Sequence, residues 1–252
     1  MLLGTGAFIV FGKEGDPNWT GPILFDEGAR NAFRANNHKT RQAWQIVGDA
    51  FYYGGLAYPF IVDTLAVTWI GHKAPKVASQ MFLINTEAFA ITGFFSFLSN
   101  ATIRRQRPYV RECGAGKPDP VFPDCDVAGQ SEGFYSGHTA IAFTGAALTC
   151  MHHANLPLYG DNGVGGAVAC VTLMTGATVG GVARLIADKH YASDVIVGAG
   201  VGLASGIIVP WLHYRHRSKT GDASTANQPV FTIAPAPLLS PTTAGLGAMG
   251  LF

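Results

Sequence analysis

Five apolar stretches limit what this chain can become. They cover roughly residues 51–71, 80–100, 137–153, 164–183 and 192–214, and all but the third have about the twenty residues that an α-helix needs to cross a bilayer. Backbone polar groups in hydrocarbon must be satisfied within their own segment, and these runs lack the period-two alternation and regular turn punctuation of strands. The fold class expected is therefore all-α, a multi-pass helical bundle. Composition agrees, with 13% charged residues, 48% hydrophobic residues and 32 glycines in 252. A net charge of +1, with no basic tract interleaved with aromatics, gives no footprint for nucleic acid.

The chain reads as three parts. Residues 1–50 form an N-terminal segment, 51–219 a helical core, and 220–252 a polar linker and a Pro-rich tail, either extended or a short hairpin. Residues 1–11 are apolar but lack a basic n-region and a cleavage site, which suits a transmembrane stub or an interfacial segment. Residues 28–34 read as a short amphipathic helix, more readily solvated than membrane-bound. Asp63 and Glu87 lie mid-run, where an unpaired charge is costly, so both are expected to face the bundle interior or to be protonated, with a structural pairing role rather than a catalytic one. Gly198, Gly202 and Gly206, like Gly176, Gly180 and Arg184, recur every fourth residue and form either a close-packing face or a loosely packed helix. His152, His153, His213 and His216 have no further ligands at metal-site spacing and read as loop or membrane-boundary residues.

The chemistry is concentrated in three short segments. In 184–194, His190 and Asp194 are four apart, so on a helix they share a face, and Arg184 lies six residues earlier. Arg104, Arg105 and Arg107 cluster before Pro108, just past the second apolar run. Gly133-Phe-Tyr-Ser-Gly-His-Thr139 opens the third run with a small-residue turn and a second histidine. Guanidinium groups, a helix start, a histidine with an acid and another histidine are the parts that phosphoryl transfer through a covalent intermediate requires.

The chain resembles the type 2 phosphatidic acid phosphatases, whose relatives include bacterial acid phosphatases and vanadium haloperoxidases. The family pattern is Lys-x6-Arg-Pro, Pro-Ser-Gly-His and Ser-Arg-x5-His-x3-Asp; here it reads Asn100-x6-Arg107-Pro108, Tyr135-Ser136-Gly137-His138 and Ala183-Arg184-x5-His190-x3-Asp194. Asn100, Tyr135 and Ala183 depart from it, and Asn100 removes one positive charge from the phosphate site. The resemblance implies that His190 attacks phosphorus, Asp194 orients its ring, and His138 protonates the leaving alcohol and then activates water. It also implies that Arg107, Arg184, Ser136 and Gly137 hold phosphate oxygens and that neither metal nor cofactor takes part; beside them, Arg104 or Arg105 stands near enough in sequence to supply the charge that Asn100 removes.

The function expected is that of a cell-membrane phosphatase acting on a lipid phosphomonoester or diphosphate, of the phosphatidic acid or polyprenyl diphosphate type. Alternatives are a soluble or periplasmic acid phosphatase, a vanadium-dependent haloperoxidase, and a non-enzymatic membrane protein with a weakened site. The motifs meet at one end of the helices, and the basic stretches 71–76 and 215–219 fall at the other; the positive-inside rule then turns the site to the periplasm or exterior. In the loop 112–130, Cys113 and Cys125 are either disulfide-bonded or two free thiols, and Cys150 and Cys170 are expected as small core residues.

Overall fold

The computed structural model describes residues 17–113, 125, 129–219, 232–240 and 243–251. Residues 1–11, the linker 220–227 and most of the loop 112–130 lie outside the described residues. The chain divides into a unit ending at Tyr214 and a second unit from Arg215 onward. In the second unit Thr232–Ser240 (β1) and Thr243–Leu251 (β2) pair antiparallel, Thr232 opposite Leu251.

The first unit is all-α. Its helices are α1 (Asp26–Phe33), α2 (His38–Tyr58), α3 (Pro75–Thr102), α4 (Gly137–Asn155), α5 (Val164–Ile186) and α6 (Ala192–Lys219), the last running on past the unit's end. Asn37 caps α2 by accepting the Thr40 amide at 2.9 Å. At Tyr58 the helix widens into a π-helix, Pro59–Gly71, in which Thr64 and Thr68 hydroxyls donate to the carbonyls of Pro59 and Asp63, each at 2.6 Å. Apolar patterning alone does not signal that change.

Among the described residues three helices are long and apolar enough to cross a membrane: α3, α5 and residues 192–215 of α6. Their outward surfaces are apolar, with Phe94, Phe95, Val168, Val171, Ile207 and Trp211 exposed. The third apolar run has another use. It becomes α4, which is buried on several sides through Ala140, Ala142, Thr144, Ala146, Ala147 and Leu148. Small residues let the neighbours close onto it: a Cβ at Gly55 would sit 2.9 Å from the Ala142 Cα, one at Gly198 would sit 2.6 Å from the Ser136 carbonyl, and one at Gly206 would sit 2.6 Å from the Ala147 Cβ. The four-residue glycine repeat of α6 is thus a packing face. Gly176 and Gly180 of α5 receive the Phe51 ring.

Three expectations need correction. Cys150 and Cys170 are not separate core thiols but a disulfide joining α4 to α5, with Cα atoms 4.6 Å apart. His152 and His153 are not boundary residues. His152 is fully buried, its Nδ1 2.7 Å from the Tyr214 hydroxyl and its Nε2 2.7 Å from Asn85 Oδ1, while His153 contacts Asp63 at 3.2 Å. Finally, α1 is not solvated along its polar side: Asp26 and Arg30 are buried, whereas Leu24, Phe25 and Phe33 are exposed. The two mid-run carboxylates have partners, Asp63 in His153 and Tyr159 and Glu87 in His213.

Candidate active site

The end of α3, the start of α4, the end of α5 and the start of α6 meet at one end of the bundle, each carrying one piece of the motifs. His190 lies in the turn between α5 and α6 and is 4% exposed. Its Nδ1 is 2.8 Å from the Gly133 carbonyl, which can only accept, so Nδ1 carries the proton and Nε2 keeps its lone pair. Burial, together with the neighbouring Arg107, Arg184 and His138 charges, holds the ring's pKa well below the ordinary histidine value. A neutral imidazole with a free nitrogen beside two guanidinium groups has the form a nucleophile needs.

Gly133 links two motifs. Its amide donates to the Arg105 carbonyl at 2.7 Å while its own carbonyl accepts from His190. A Cβ at this position would come within 2.7 Å of that Arg105 carbonyl, so only glycine lets the strap pass here.

Asp194 does not hold the histidine by a direct hydrogen bond: its Oδ2 is 4.0 Å from Nδ1. That oxygen accepts the Tyr191 amide at 2.8 Å, closing the first turn of α6, and Oδ1 accepts from Arg105 at 2.5 Å. Asp194 therefore fixes the turn that carries His190, and the Gly133 carbonyl orients the ring.

Arg105 corrects a second expectation. It is fully buried, with Nη1 on Asp194 and Ser193 and Nη2 on Asp26 and the Gly21 carbonyl, and its guanidinium lies between the Trp19 and Tyr191 rings at 4.0 and 4.3 Å. Those groups are committed to the fold and are not offered to a substrate. Arg105 instead ties the N-terminal segment to the catalytic turn. A second tie runs beside it, with Arg30 gripping Asp188 through two 2.7 Å bonds and reaching Glu112 at 2.8 Å.

Of the remaining predicted residues, Arg107, Arg184 and His138 lie close enough for their charges to act on His190. Arg107 donates Nε to the Gly129 carbonyl at 2.8 Å. Ser136 caps α4, accepting from the Thr139 hydroxyl at 2.9 Å, and its own amide is taken by the Asp194 carbonyl, so neither its amide nor its cap is spare. The first amides of α4, at Gly137 and His138, remain as the orphan donors of a helix start. Gly137 also lets α3 approach, since a Cβ would lie 2.9 Å from the Ser96 hydroxyl. Asn100, in the last turn of α3, has a buried Oδ1 with no hydrogen-bond partner among the described residues.

Sequence reasoning missed Asp49. On α2, its Oδ1 is 2.9 Å from Arg184 Nη1 and 3.1 Å from His138 Nε2. The signal was Gly48 before it: a Cβ there would meet the Arg184 Cδ at 2.9 Å, so α2 passes directly over that arginine. Tyr52, one turn later, packs on the His138 ring with centroids 4.7 Å apart.

A lipid A 1-phosphatase from Porphyromonas gingivalis is 36% identical over 77 residues, which are 31% of this chain and 15% of that protein, so the chain spans a small part of its relative's length. No solved structure matches. The pattern of the PAP2 superfamily matches residues 82–218, over half of the chain and all three motifs, and the chain belongs to that superfamily.

Proposed function

We propose that this chain is a membrane lipid phosphatase that works through a phosphohistidine. The observation carrying the reading is the convergence of the unprotonated Nε2 of His190, the cations Arg107 and Arg184, and His138 at the end of apolar helices. In the first step Nε2 attacks phosphorus, the bond to the leaving oxygen breaks, and His138 gives that oxygen a proton. In the second, His138 takes a proton from water, the hydroxide attacks phosphorus, the P–N bond breaks and phosphate leaves. Arg107, Arg184 and the α4 amides at Gly137 and His138 bind the equatorial oxygens as charge accumulates on them.

A lipid substrate is supported by the three helices of membrane-spanning length and apolarity and by the activity for which the Porphyromonas relative is named. A site facing an oxidising compartment is supported by the Cys113–Cys125 disulfide beside the segment that carries Arg107. The test is phosphate release in detergent micelles containing EDTA, from phosphatidic acid, a polyprenyl diphosphate and a lipid A-type 1-phosphate. Release from at least one, lost in His190→Ala, is the expected result; no release from any by folded protein overturns the lipid reading.

A further inference from the structure

Asp49 belongs to none of the three motifs, yet its carboxylate sits where two of them meet. One oxygen, Oδ1, lies 2.9 Å from Arg184 Nη1 and 3.1 Å from His138 Nε2. Both partners belong to the machinery proposed above, one to bind a phosphate oxygen and one to protonate the leaving group. A carboxylate oxygen that accepts from a guanidinium and lies 3.1 Å from an imidazole nitrogen stands where a phosphoryl oxygen would be held. The residue is 35% exposed on its side chain, while Arg184 is 4% exposed, so the anion is at the mouth and the cation at the floor. Gly48 permits the approach, and Tyr52 on the same helix face seats the His138 ring.

Resting on the phosphatase reading, we propose that Asp49 is a positioning residue that occupies the phosphate position of the empty site and hands it over to the substrate. Before binding, its negative charge lies 3.1 Å from Nε2 of His138 and opposes the burial and the Arg107 and Arg184 charges that push the ring towards its neutral form. On binding, the phosphate dianion takes Arg184 and His138, and the Asp49 carboxylate is released towards solvent. The carboxylate thus competes with bound phosphate while preparing the proton donor, and its two effects fall on different kinetic constants. Ground-state affinity is lowered by the competition; turnover is raised by the prepared donor.

The experiment compares the full-length protein with Asp49→Asn and Asp49→Glu in detergent. Inorganic phosphate binding is read by thermal stabilisation, which needs no turnover, and KM and kcat are read separately on the best lipid substrate. Asp49→Asn is expected to bind phosphate about fivefold more tightly, as for loss of one partly exposed competing ion pair, with KM falling in parallel and kcat falling as well. Asp49→Glu should recover kcat towards the wild-type value. Unchanged or weakened phosphate affinity in Asp49→Asn overturns the proposal, as does a kcat that does not move. If no lipid is hydrolysed by the wild type, the phosphatase reading falls, and tighter phosphate binding by Asp49→Asn still upholds the competition.

Discussion

Two groups of histidines lie at opposite ends of α4, and they are finished differently. His138, in the first turn, and His152, near the last, are 14 residues apart along the helix, about 21 Å at 1.5 Å per residue. At the far end His152 has both ring nitrogens bonded, to Tyr214 and Asn85, and His153 pairs with Asp63. At the near end His190 has one nitrogen fixed by Gly133 and the other free, beside arginines whose charges it does not neutralise. Burial alone therefore does not mark a functional histidine. A saturated ring locks helices together, and a ring satisfied on one side only is left to react.

Substitution separates the two groups most sharply at the nucleophile. His190→Asn should lower kcat for phosphate release by roughly 10⁴-fold or more, as expected when a covalent nucleophile is removed, with the melting temperature largely kept. The counterpart, His152→Gln, should leave kcat within about threefold, since no reacting group is touched. Equal losses of activity in the two would break the distinction.

The next effect is on stability. Arg105→Met strands the buried Asp26 and Asp194 carboxylates and should cost about 3–5 kcal/mol in chemical denaturation, whereas Arg107→Met, which gives up one carbonyl contact, should cost about 1 kcal/mol and act instead on kcat/KM. A smaller loss is expected at the far end, where His152→Leu leaves Asn85 Oδ1 and the Tyr214 hydroxyl without their ring partner, about 1–3 kcal/mol.

The smallest effect is on pH dependence. The folded His190 stays neutral well below its ordinary pKa of 6.5, while the unfolded chain takes up a proton there as pH falls. Stability from this residue is thus complete above pH 6.5 and declines below it, by up to about 1.4 kcal/mol per pH unit. Denaturation curves of wild type and His190→Asn should draw together or cross as pH is lowered from 7 to 5; parallel curves would mean that His190 titrates normally.

How much of this was legible in the sequence depends on how local each feature is. The order and spacing of Arg107, His138, Arg184 and His190 placed them at helix ends that must converge, and the structure brings them to one end of the bundle. The long apolar runs became helices for the same local reason. Features that depend on how helices face one another were hidden. Arg105 reads as a phosphate ligand beside Arg107, but packing between Trp19 and Tyr191 makes it structural. In α1 the polar stripe points inwards because Arg30 and Asp26 find Asp188, Arg105 and Ser193, partners over 70 positions away along the chain. Asp49 had no motif, and Cys150 and Cys170 gave no spacing signal inside apolar runs.

The central claim is that Nε2 of His190 forms the bond to phosphorus, and trapping that bond tests it most directly. His138→Ala should slow hydrolysis of the intermediate, so with a substrate bearing a good leaving group, such as p-nitrophenyl phosphate, rapid alkali quenching should catch a phosphoenzyme. The account predicts label that is stable in alkali and lost in acid, the signature of a phosphohistidine, and absent from the His138→Ala/His190→Asn double variant. Label that persists in the double variant, or that survives acid as a phosphoester, would contradict it.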